Sequence, residues 1–224
     1  MALPGELVIT PDVPGAFARQ VIEAFRNRAL DTFSIALSGG DTARRCYEHL
    51  ADTAGSQIDW WKVDVYWGDE RCVPHDDPAS NYHLAREALL DRVGAANATH
   101  LMRCAEGPDP YQLRLGDLGR IDLVHLGMGA DGHTASLFPE SAALDADPGR
   151  LVAMNDDPLG NNPYPRMTLT FAGIARAALA VVTVTGEEKA PALAAIARGE
   201  DLPASRIASE QVVWLVDEAA ASQL

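Results

Sequence analysis

The 224-residue sequence predicts an α/β fold with a doubly wound, mainly parallel sheet flanked by helices, as in Rossmann-like proteins. Short runs of β-branched and apolar residues alternate along the chain with longer segments of helical periodicity. Parallel sheets need this alternation because a crossover, usually a helix, connects their strands. Glycine-rich or polar turns follow several of the runs. We find no repeat, low-complexity tract or long linker, and therefore predict a single domain over residues 1–224.

The first predicted elements lie near the amino terminus. Apolar side chains recur at helical spacing over residues 14–30, which predicts an amphipathic helix. The apolar run Phe33–Leu37 is short and bounded by turn residues, so it predicts a strand. This strand ends at the turn 38–40, and residues 42–50 predict the helix that follows.

The second strand is predicted at Val63–Trp67. A proline-containing loop follows it, and Ser80 or Asn81 can cap the next helix because both side chains accept hydrogen bonds from backbone N–H groups. This helix is expected to continue to about Leu90.

The second half of the chain supplies three more strands and another helix. The strands are predicted at Ile121–Leu126, Leu179–Thr185 and Val212–Val216. A helix near Glu187–Arg198 connects the last two. Residues 145–165 are rich in Pro, Asp and Asn, which predicts a long loop around a site.

The charge balance excludes several classes of partner. Lys and Arg total 18 and Asp and Glu total 32, so the net charge is −14. Such a surface repels phosphate backbones and anionic lipids, and we expect neither nucleic acid nor membrane as a partner. A small anionic ligand fits only if a few basic residues gather in one pocket. The sequence shows no apolar span of about 20 residues and no signal peptide, so we expect a cytoplasmic protein.

The cysteines and histidines show no metal-binding pattern. Cys46, Cys72 and Cys104 are odd in number and have no CxxC spacing. We expect reduced, incidental thiols, with a redox or zinc role as the alternative. Neither an HExxH motif nor a paired-histidine spacing is present, so no metal is predicted.

Three polar loops follow predicted strands, where open α/β sheets bind their ligands. In the first, residues 38–42 (SGGDT), glycines allow close approach of the backbone, and free N–H groups at a helix start favour an anion. The alternative is a tight, capped turn. In the second, Gly68–Arg71, a guanidinium suited to phosphate lies beside two carboxylates. The alternative there is a surface ion pair.

The third loop, Gly127–His133, places Asp131 two residues before His133. An imidazole can take a proton from water or a hydroxyl, and a nearby carboxylate can fix its tautomer. A structural histidine is the alternative. Arg166 and Lys189 are further basic candidates. A lysine at a helix start opposes the helix dipole and is better explained if an anion lies nearby, although a solvated lysine is also compatible with the pattern.

Together these loops resemble the 6-phosphogluconolactonase family. The matching stretches are Leu37–Gly40 with Thr42, Trp67–Arg71 with Val73 and Pro74, Ser80–Tyr82, Gly127–Pro139, Arg166–Leu169 and Gly186–Ala190. They occur in the family's order from about residue 37 to 190, and agreement among several independent blocks makes the resemblance specific.

The resemblance implies hydrolysis of 6-phospho-D-glucono-1,5-lactone to 6-phosphogluconate by a cofactor-free enzyme. His133 would be the general base that activates water against the lactone carbonyl, and Asp131 would orient it. The implied substrate-binding residues are Arg71 and Lys189 with the backbone of Ser38, Gly39 and Gly40 at the 6-phosphate, Asp69, Asn81 and Arg166 at the sugar, and Thr42 in the phosphate turn. The expected assembly is a monomer or a small homo-oligomer, with the sugar-phosphate lactone as its partner.

Two alternatives belong to other functional classes. The glucosamine-6-phosphate deaminase/isomerases have a similar Asp-Gly-His loop, but carry a glutamate five residues after the histidine that helps to open the sugar ring. Here that position is Phe138, which cannot transfer a proton, and Glu140 is out of register. A sugar-phosphate sensor in a transcription regulator would need a DNA-binding module, for which this acidic chain has neither the length nor a basic face.

Overall fold

The structure is a computed structural model that describes residues 3–54 and 56–224. Its strands are β1 (Glu6–Ile9), β2 (Phe33–Leu37), β3 (Val63–Trp67), β4 (Asp69–Arg71), β5 (Ala98–Thr99), β6 (Ile121–Gly127), β7 (Val152–Asn155), β8 (Arg166–Leu169), β9 (Ala177–Val184) and β10 (Gln211–Val216). Its helices are α1 (Val13–Arg26), α2 (Asp41–Ala54), α3 (Asn81–Ala85, continued by a π-helical turn at Arg86–Leu90), α4 (Asp109–Leu118), α5 (Phe171–Ile174) and α6 (Ala190–Arg198).

Seven strands form a parallel sheet in the order β1-β10-β9-β6-β2-β3-β5. From β2 the chain moves to β3 and β5 on one side, whereas β6, β9 and β10 follow on the other side. The direction of winding therefore changes between β2 and β6. In open α/β sheets a crevice forms at such a switch point, beyond the carboxyl ends of the strands. The predicted α/β fold class is confirmed, and its topology points to the loops after β2 and β6.

The helix α1 shows how the sequence builds the layers around the sheet. The side chain of Asp12 accepts a hydrogen bond from Gly15 N at 2.9 Å and so caps the amino end of α1. Phe17 and Val21 are buried on one face of this helix. Each such side chain contributes roughly 1.5–3 kcal/mol when fully buried, so the apolar face holds α1 against the sheet.

A second sheet is absent from the sequence prediction. It has three antiparallel strands in the order β4-β8-β7. The expectation of loops at Gly68–Arg71 and over residues 145–165 was therefore wrong in part, since β4 and β7 lie there. Only Gly68 separates β3 from β4, and its N–H donates to Leu37 O while its carbonyl accepts from Leu169 N. The glycine thus carries the chain from one sheet into the other.

The other predicted elements differ from the structure mainly at their ends. The first helix ends at Arg26 rather than at residue 30, whereas α2 continues to Ala54. The helix expected near Glu187–Arg198 begins as a 3-10 turn, Glu187–Lys189, and becomes α6 only at Ala190. None of the described helices is long and apolar enough to cross a membrane.

The prediction of reduced, incidental thiols was wrong for two of the three cysteines. Cys72 and Cys104 form a disulfide with a Cα–Cα distance of 5.5 Å, and Cys46 is free and buried. The bridge ties the residue after β4 to a 3-10 turn at Cys104–Glu106. The two cysteines are 32 residues apart, so their spacing gives no signal of the pairing that the fold creates.

Candidate active site

A cavity of about 430 Å³ lies at the switch point between β2 and β6. Its walls come from the loops that follow β2, β6 and β9, and from β4 and β8 of the small sheet. Every predicted site residue except Asp131 lines this cavity: Ser38, Gly39, Gly40, Thr42, Asp69, Arg71, Asn81, His133, Arg166 and Lys189. The fold therefore brings together residues that are up to 151 positions apart in the chain, from Ser38 to Lys189 (189 − 38 = 151).

Asp131 lies behind His133 and fixes its ring. The Asp131 carboxylate is 2.6 Å from Nδ1 of His133, and the same oxygen accepts the backbone N–H of His133 at 3.1 Å. Burial alone would raise the pKa of Asp131, but the hydrogen bonds and charge of His133 outweigh it, so this pKa lies below its usual value. With Nδ1 engaged by the carboxylate, Nε2 of the imidazole is left to accept a proton.

The glycines of this loop make room for the imidazole. A Cβ atom on Gly129 would lie 2.2 Å from Nδ1 of His133, so only glycine allows the ring to pack this closely on the backbone. Phe138 meets the other side of the ring edge-on, with 5.1 Å between centroids, and is itself buried. The residue that stands five positions after the histidine is thus an apolar wall of the site.

The turn after β2 leads into the amino end of α2. Gly40 has a φ of +93°, a conformation that favours glycine, and a Cβ on Gly39 would lie 1.8 Å from Oδ1 of Asn81. The Ser38 N–H was expected to face an anion, but it donates to the Tyr47 hydroxyl at 2.7 Å. The backbone donors left for a ligand are therefore those of Gly39, Gly40 and the first turn of α2, which have no partner within the helix.

Tyr47 belongs to a buried network beneath the cavity that the sequence did not reveal. Its hydroxyl lies 2.9 Å from Nδ1 of His125, and Nε2 of His125 lies 2.9 Å from the Thr183 hydroxyl. Burial lowers the pKa of His125 to about 3, so this imidazole is neutral at pH 7. His125 is therefore a structural histidine. The network anchors the Ser38 backbone from below.

Glu70 joins β4 to the amino end of α3. It is 2% exposed, and its carboxylate accepts the backbone N–H groups of Arg71 (2.7 Å), Asn81 (2.6 Å) and Tyr82 (2.8 Å). Burial raises its pKa above the usual value, against the effect of these hydrogen bonds. A carboxylate at a helix amino end is favoured by the helix dipole. Glu70 thereby fixes the relative positions of Arg71 and Asn81.

The side chains of Asp69 and Asn81 hold each other in place. Asn81 Nδ2 donates to the Asp69 carbonyl at 2.8 Å and to its Oδ1 at 3.1 Å, while the Ser136 hydroxyl donates to Oδ2 at 2.6 Å. Asn81 is fully buried, and its Oδ1 has no hydrogen-bond partner among the described residues. An unpaired acceptor of this kind is costly unless a ligand supplies a donor.

Two arginines face each other across the small sheet. Arg71 of β4 is directly opposite Arg166 of β8, an arrangement that is unfavourable for like charges. Each guanidinium donates to a backbone carbonyl, at 2.6 Å for Arg71 and 3.1 Å for Arg166, and both Nε atoms lack partners within the described residues. Burial, and then the charge of Arg71, lower the pKa of Arg166. An anionic ligand between the two arginines would offset the repulsion of their charges and supply acceptors for their Nε atoms.

The two arginines of the small sheet that line the cavity have no carboxylate partner among the described residues. In residues 3–54 and 56–224, no carboxylate oxygen lies within 4.0 Å of the Arg71 or Arg166 guanidinium, and the nearest to Lys189 is that of Glu188 at 3.9 Å. Elsewhere on this chain arginines such as Arg92 and Arg206 pair with carboxylates. Arg71 and Arg166 of this cavity therefore have no carboxylate partner among the described residues, and Lys189 has only a distant one.

Sequence comparisons connect this chain to one family. The family model described as glucosamine-6-phosphate isomerases/6-phosphogluconolactonase matches residues 10–214. A 6-phosphogluconolactonase of Synechocystis sp. is 36% identical over 92% of this chain and 89% of its own length. Those of Nostoc sp. and Mycobacterium tuberculosis are 38% and 35% identical, over 86% and 90% of this chain and 85% and 87% of theirs.

Solved structures share the fold over nearly the whole chain. A 6-phosphogluconolactonase from Trypanosoma cruzi has a TM-score of 0.84 at 26% identity, covering 100% of this chain and 98% of that one. The enzyme of the same name from Leishmania guyanensis has a TM-score of 0.86 at 26% identity, with 98% of both chains covered. A monomeric glucosamine-6-phosphate deaminase reaches a TM-score of 0.82 at 17% identity, covering 98% and 100%, which shows the common fold alone.

Proposed function

The chain belongs to the glucosamine-6-phosphate isomerase/6-phosphogluconolactonase family, and from this premise we propose that it hydrolyses 6-phospho-D-glucono-1,5-lactone to 6-phospho-D-gluconate. This reaction is the second step of the oxidative pentose phosphate pathway. The observation that carries the proposal is the Asp131–His133 pair, 2.6 Å apart, beside a cavity in which Arg71 and Arg166 have no described carboxylate within 4.0 Å. Such a site suits an anionic ester substrate.

The reaction begins with proton transfer to His133. Nε2 accepts a proton from a water molecule while the water oxygen forms a bond to the lactone carbonyl carbon. Asp131 keeps Nδ1 protonated and stabilises the imidazolium. When the tetrahedral intermediate collapses, the bond from this carbon to the ring oxygen breaks, and the imidazolium returns its proton to that oxygen. A positioned general base supplies about 10²- to 10⁴-fold of rate.

Substrate binding supplies the orientation. Arg71 and Lys189 hold the 6-phosphate, together with the backbone N–H groups of Gly39, Gly40 and the first turn of α2. Ser38 and Thr42 form the two ends of this turn. Asp69, Asn81 and Arg166 contact the sugar. Fixing both ends of the substrate converts a loose encounter with water into a near-attack geometry.

The assignment as a lactonase is preferred to aldose–ketose isomerisation because of Phe138. Ring opening and enolisation of an amino sugar phosphate need an additional acid–base group, and the residue beside the His133 ring is a buried phenylalanine. Hydrolysis of a lactone, an already activated ester, needs only a water and a base. No cofactor or metal enters the proposed reaction.

We also propose that the protein is cytoplasmic, acts as a monomer or small homo-oligomer, and binds neither nucleic acid nor membranes. The Cys72–Cys104 disulfide is unusual for a reducing compartment, so it offers a test of location. Free thiols are blocked in intact cells before lysis and mapped by mass spectrometry. Labelled Cys72 and Cys104 fit the cytoplasm, whereas a protected pair contradicts that location.

The test of the function is a lactonase assay on the purified protein. The lactone is generated in situ by enzymatic oxidation of glucose 6-phosphate, and the spontaneous rate of hydrolysis is subtracted. We expect acceleration without added metal or nucleotide. His49→Ala is a control variant because His49 does not line the cavity. Absence of acceleration, together with turnover of glucosamine 6-phosphate, would overturn the proposal.

A further inference from the structure

Arg45 lies at the edge of the cavity and has no assigned role. It is the fifth residue of α2, where the second turn begins, and it lines the cavity. Its Nη2 donates to the Thr185 hydroxyl at 2.8 Å, and that hydroxyl lies 2.6 Å from the hydroxyl of Thr42. These contacts hold the guanidinium between the turn that follows β2 and the segment that follows β9. The other N–H groups of the guanidinium have no partner among the described residues.

The charge of Arg45 is uncompensated by the protein. Although Asp41 is four residues before it on the same helix, no carboxylate of the described residues comes within 4.0 Å of its guanidinium. The neighbouring Arg44 behaves differently, because its Nη2 lies 3.6 Å from the Glu87 carboxylate, outside the cavity. An anion in the cavity would give Arg45 the counter-charge that no described carboxylate supplies.

Two further cations line the same cavity. Lys189 lies just beyond Thr185, the residue that holds Arg45. Arg166 is 5% exposed, and its Nε has no partner among the described residues. Arg45, Lys189 and Arg166 therefore offer three positive charges to an anionic ligand in this cavity.

We propose that Arg45 binds the phosphate of the substrate from the mouth of the cavity and sets the preference of the enzyme for phosphorylated over unphosphorylated lactones. This inference rests on the proposed lactonase function. Arg45 does not touch the reacting carbonyl. It contributes a charge-assisted hydrogen bond, with Thr185 fixing the guanidinium so that less side-chain entropy is lost on binding. Arg45 is thus a specificity-determining residue.

The test compares Arg45→Gln with the matched control Arg44→Gln on two substrates, 6-phosphogluconolactone and unphosphorylated glucono-1,5-lactone. For Arg45→Gln we expect KM for the phosphorylated lactone to rise about tenfold, as for loss of one charge-assisted hydrogen bond, with kcat retained. Its kcat/KM for the unphosphorylated lactone should stay within about twofold of wild type. Arg44→Gln should resemble wild type on both, and Arg45→Lys should recover part of the loss because it restores the charge.

Several results would overturn the inference. An unchanged KM for the phosphorylated lactone in Arg45→Gln removes Arg45 from phosphate binding. An equal loss on both lactones shows a general structural effect instead. If the wild-type protein accelerates neither lactone, the lactonase function fails by itself. Calorimetric binding of inorganic phosphate to wild type and Arg45→Gln then still decides the role of Arg45: weaker binding by the variant supports it, and equal binding contradicts it.

Discussion

The substitution Asp131→Asn isolates the electrostatic part of the Asp131–His133 pair. The carboxylate lies 2.6 Å from Nδ1 of His133 and also accepts the backbone N–H of His133 at 3.1 Å. Asparagine has nearly the same shape, but it has no charge and can present its NH₂ group to Nδ1. In that arrangement Nδ1 becomes the acceptor and Nε2 carries the proton. Such a tautomer cannot take a proton from water, so kcat should fall.

The size of the effect follows from the hydrogen bond that is lost. A hydrogen bond to a charged group contributes about 1.5–3 kcal/mol, and each ~1.4 kcal/mol is tenfold in rate, so kcat should fall about 10- to 150-fold. His133→Ala removes the base itself and should cost roughly 10²-fold or more. KM should change little in either variant, because neither residue is proposed to hold the phosphate.

The two variants are measured by steady-state kinetics on lactone generated in situ, with the spontaneous rate subtracted. Because the two residues act as a unit, Asp131→Asn should cause no further loss of kcat in the His133→Ala background. A kcat above half of wild type in Asp131→Asn would refute its orienting role. Independent, multiplicative losses in the double variant would refute the pairing itself.

Asp131→Asn should also change how the folding stability depends on pH. Because its partner lowers the pKa of Asp131 in the folded protein, ionised Asp131 stabilises the fold at pH values above the usual carboxyl pKa. This contribution disappears as the pH falls through the lowered pKa of the folded state. We expect Asp131→Asn to be less stable than wild type in urea at pH 7, and the difference to shrink at acid pH. A difference in stability between the two proteins that stays constant from pH 7 to acid pH would contradict this link between the pKa of Asp131 and folding.

The remaining predictions concern substrate binding and the frame of the site. Arg71→Ala should raise KM with a smaller effect on kcat, and an unchanged KM would count against phosphate binding. Gly39→Ala places a Cβ 1.8 Å from Oδ1 of Asn81, so we expect a loss of about 1–3 kcal/mol in urea denaturation together with a higher KM. If Gly39→Ala were as stable as wild type, the turn after β2 would have to move to accommodate the methyl group. Cys72→Ser removes the disulfide to Cys104, which lies 32 positions away. The free energy of unfolding of the variant should be lower than that of oxidised wild type by up to about 3–4 kcal/mol, and equal to that of reduced wild type.

The central sheet could be predicted from the sequence because its strands are locally encoded. Phe33–Leu37 and Val63–Trp67 agree with the structure residue for residue, and the strand predicted at Ile121–Leu126 extends by one residue to Gly127. Each run is mostly apolar and buried, and a glycine follows it within two residues. Since carboxyl ends of parallel strands meet at one edge of the sheet, the loops that follow them could be expected to form one site.

The small sheet could not be predicted in this way. Asp69–Arg71 is three polar residues long and pairs with Arg166–Leu169, about a hundred residues later. No local periodicity encodes such a pairing, and the same holds for the disulfide. Arg45 was missed because it lies after the recognised motif, in the helix predicted over residues 42–50. Its contact with Thr185, 140 residues later in the chain, is created by the fold and leaves no local signal in the sequence.

The most direct test of the account is kcat/KM for 6-phosphogluconolactone, measured for wild type and His133→Ala under identical conditions. The account predicts hydrolysis well above the spontaneous rate for wild type and a loss of roughly 10²-fold or more for the variant. Equal rates for the two proteins, or a wild-type rate no faster than the spontaneous reaction, would contradict it.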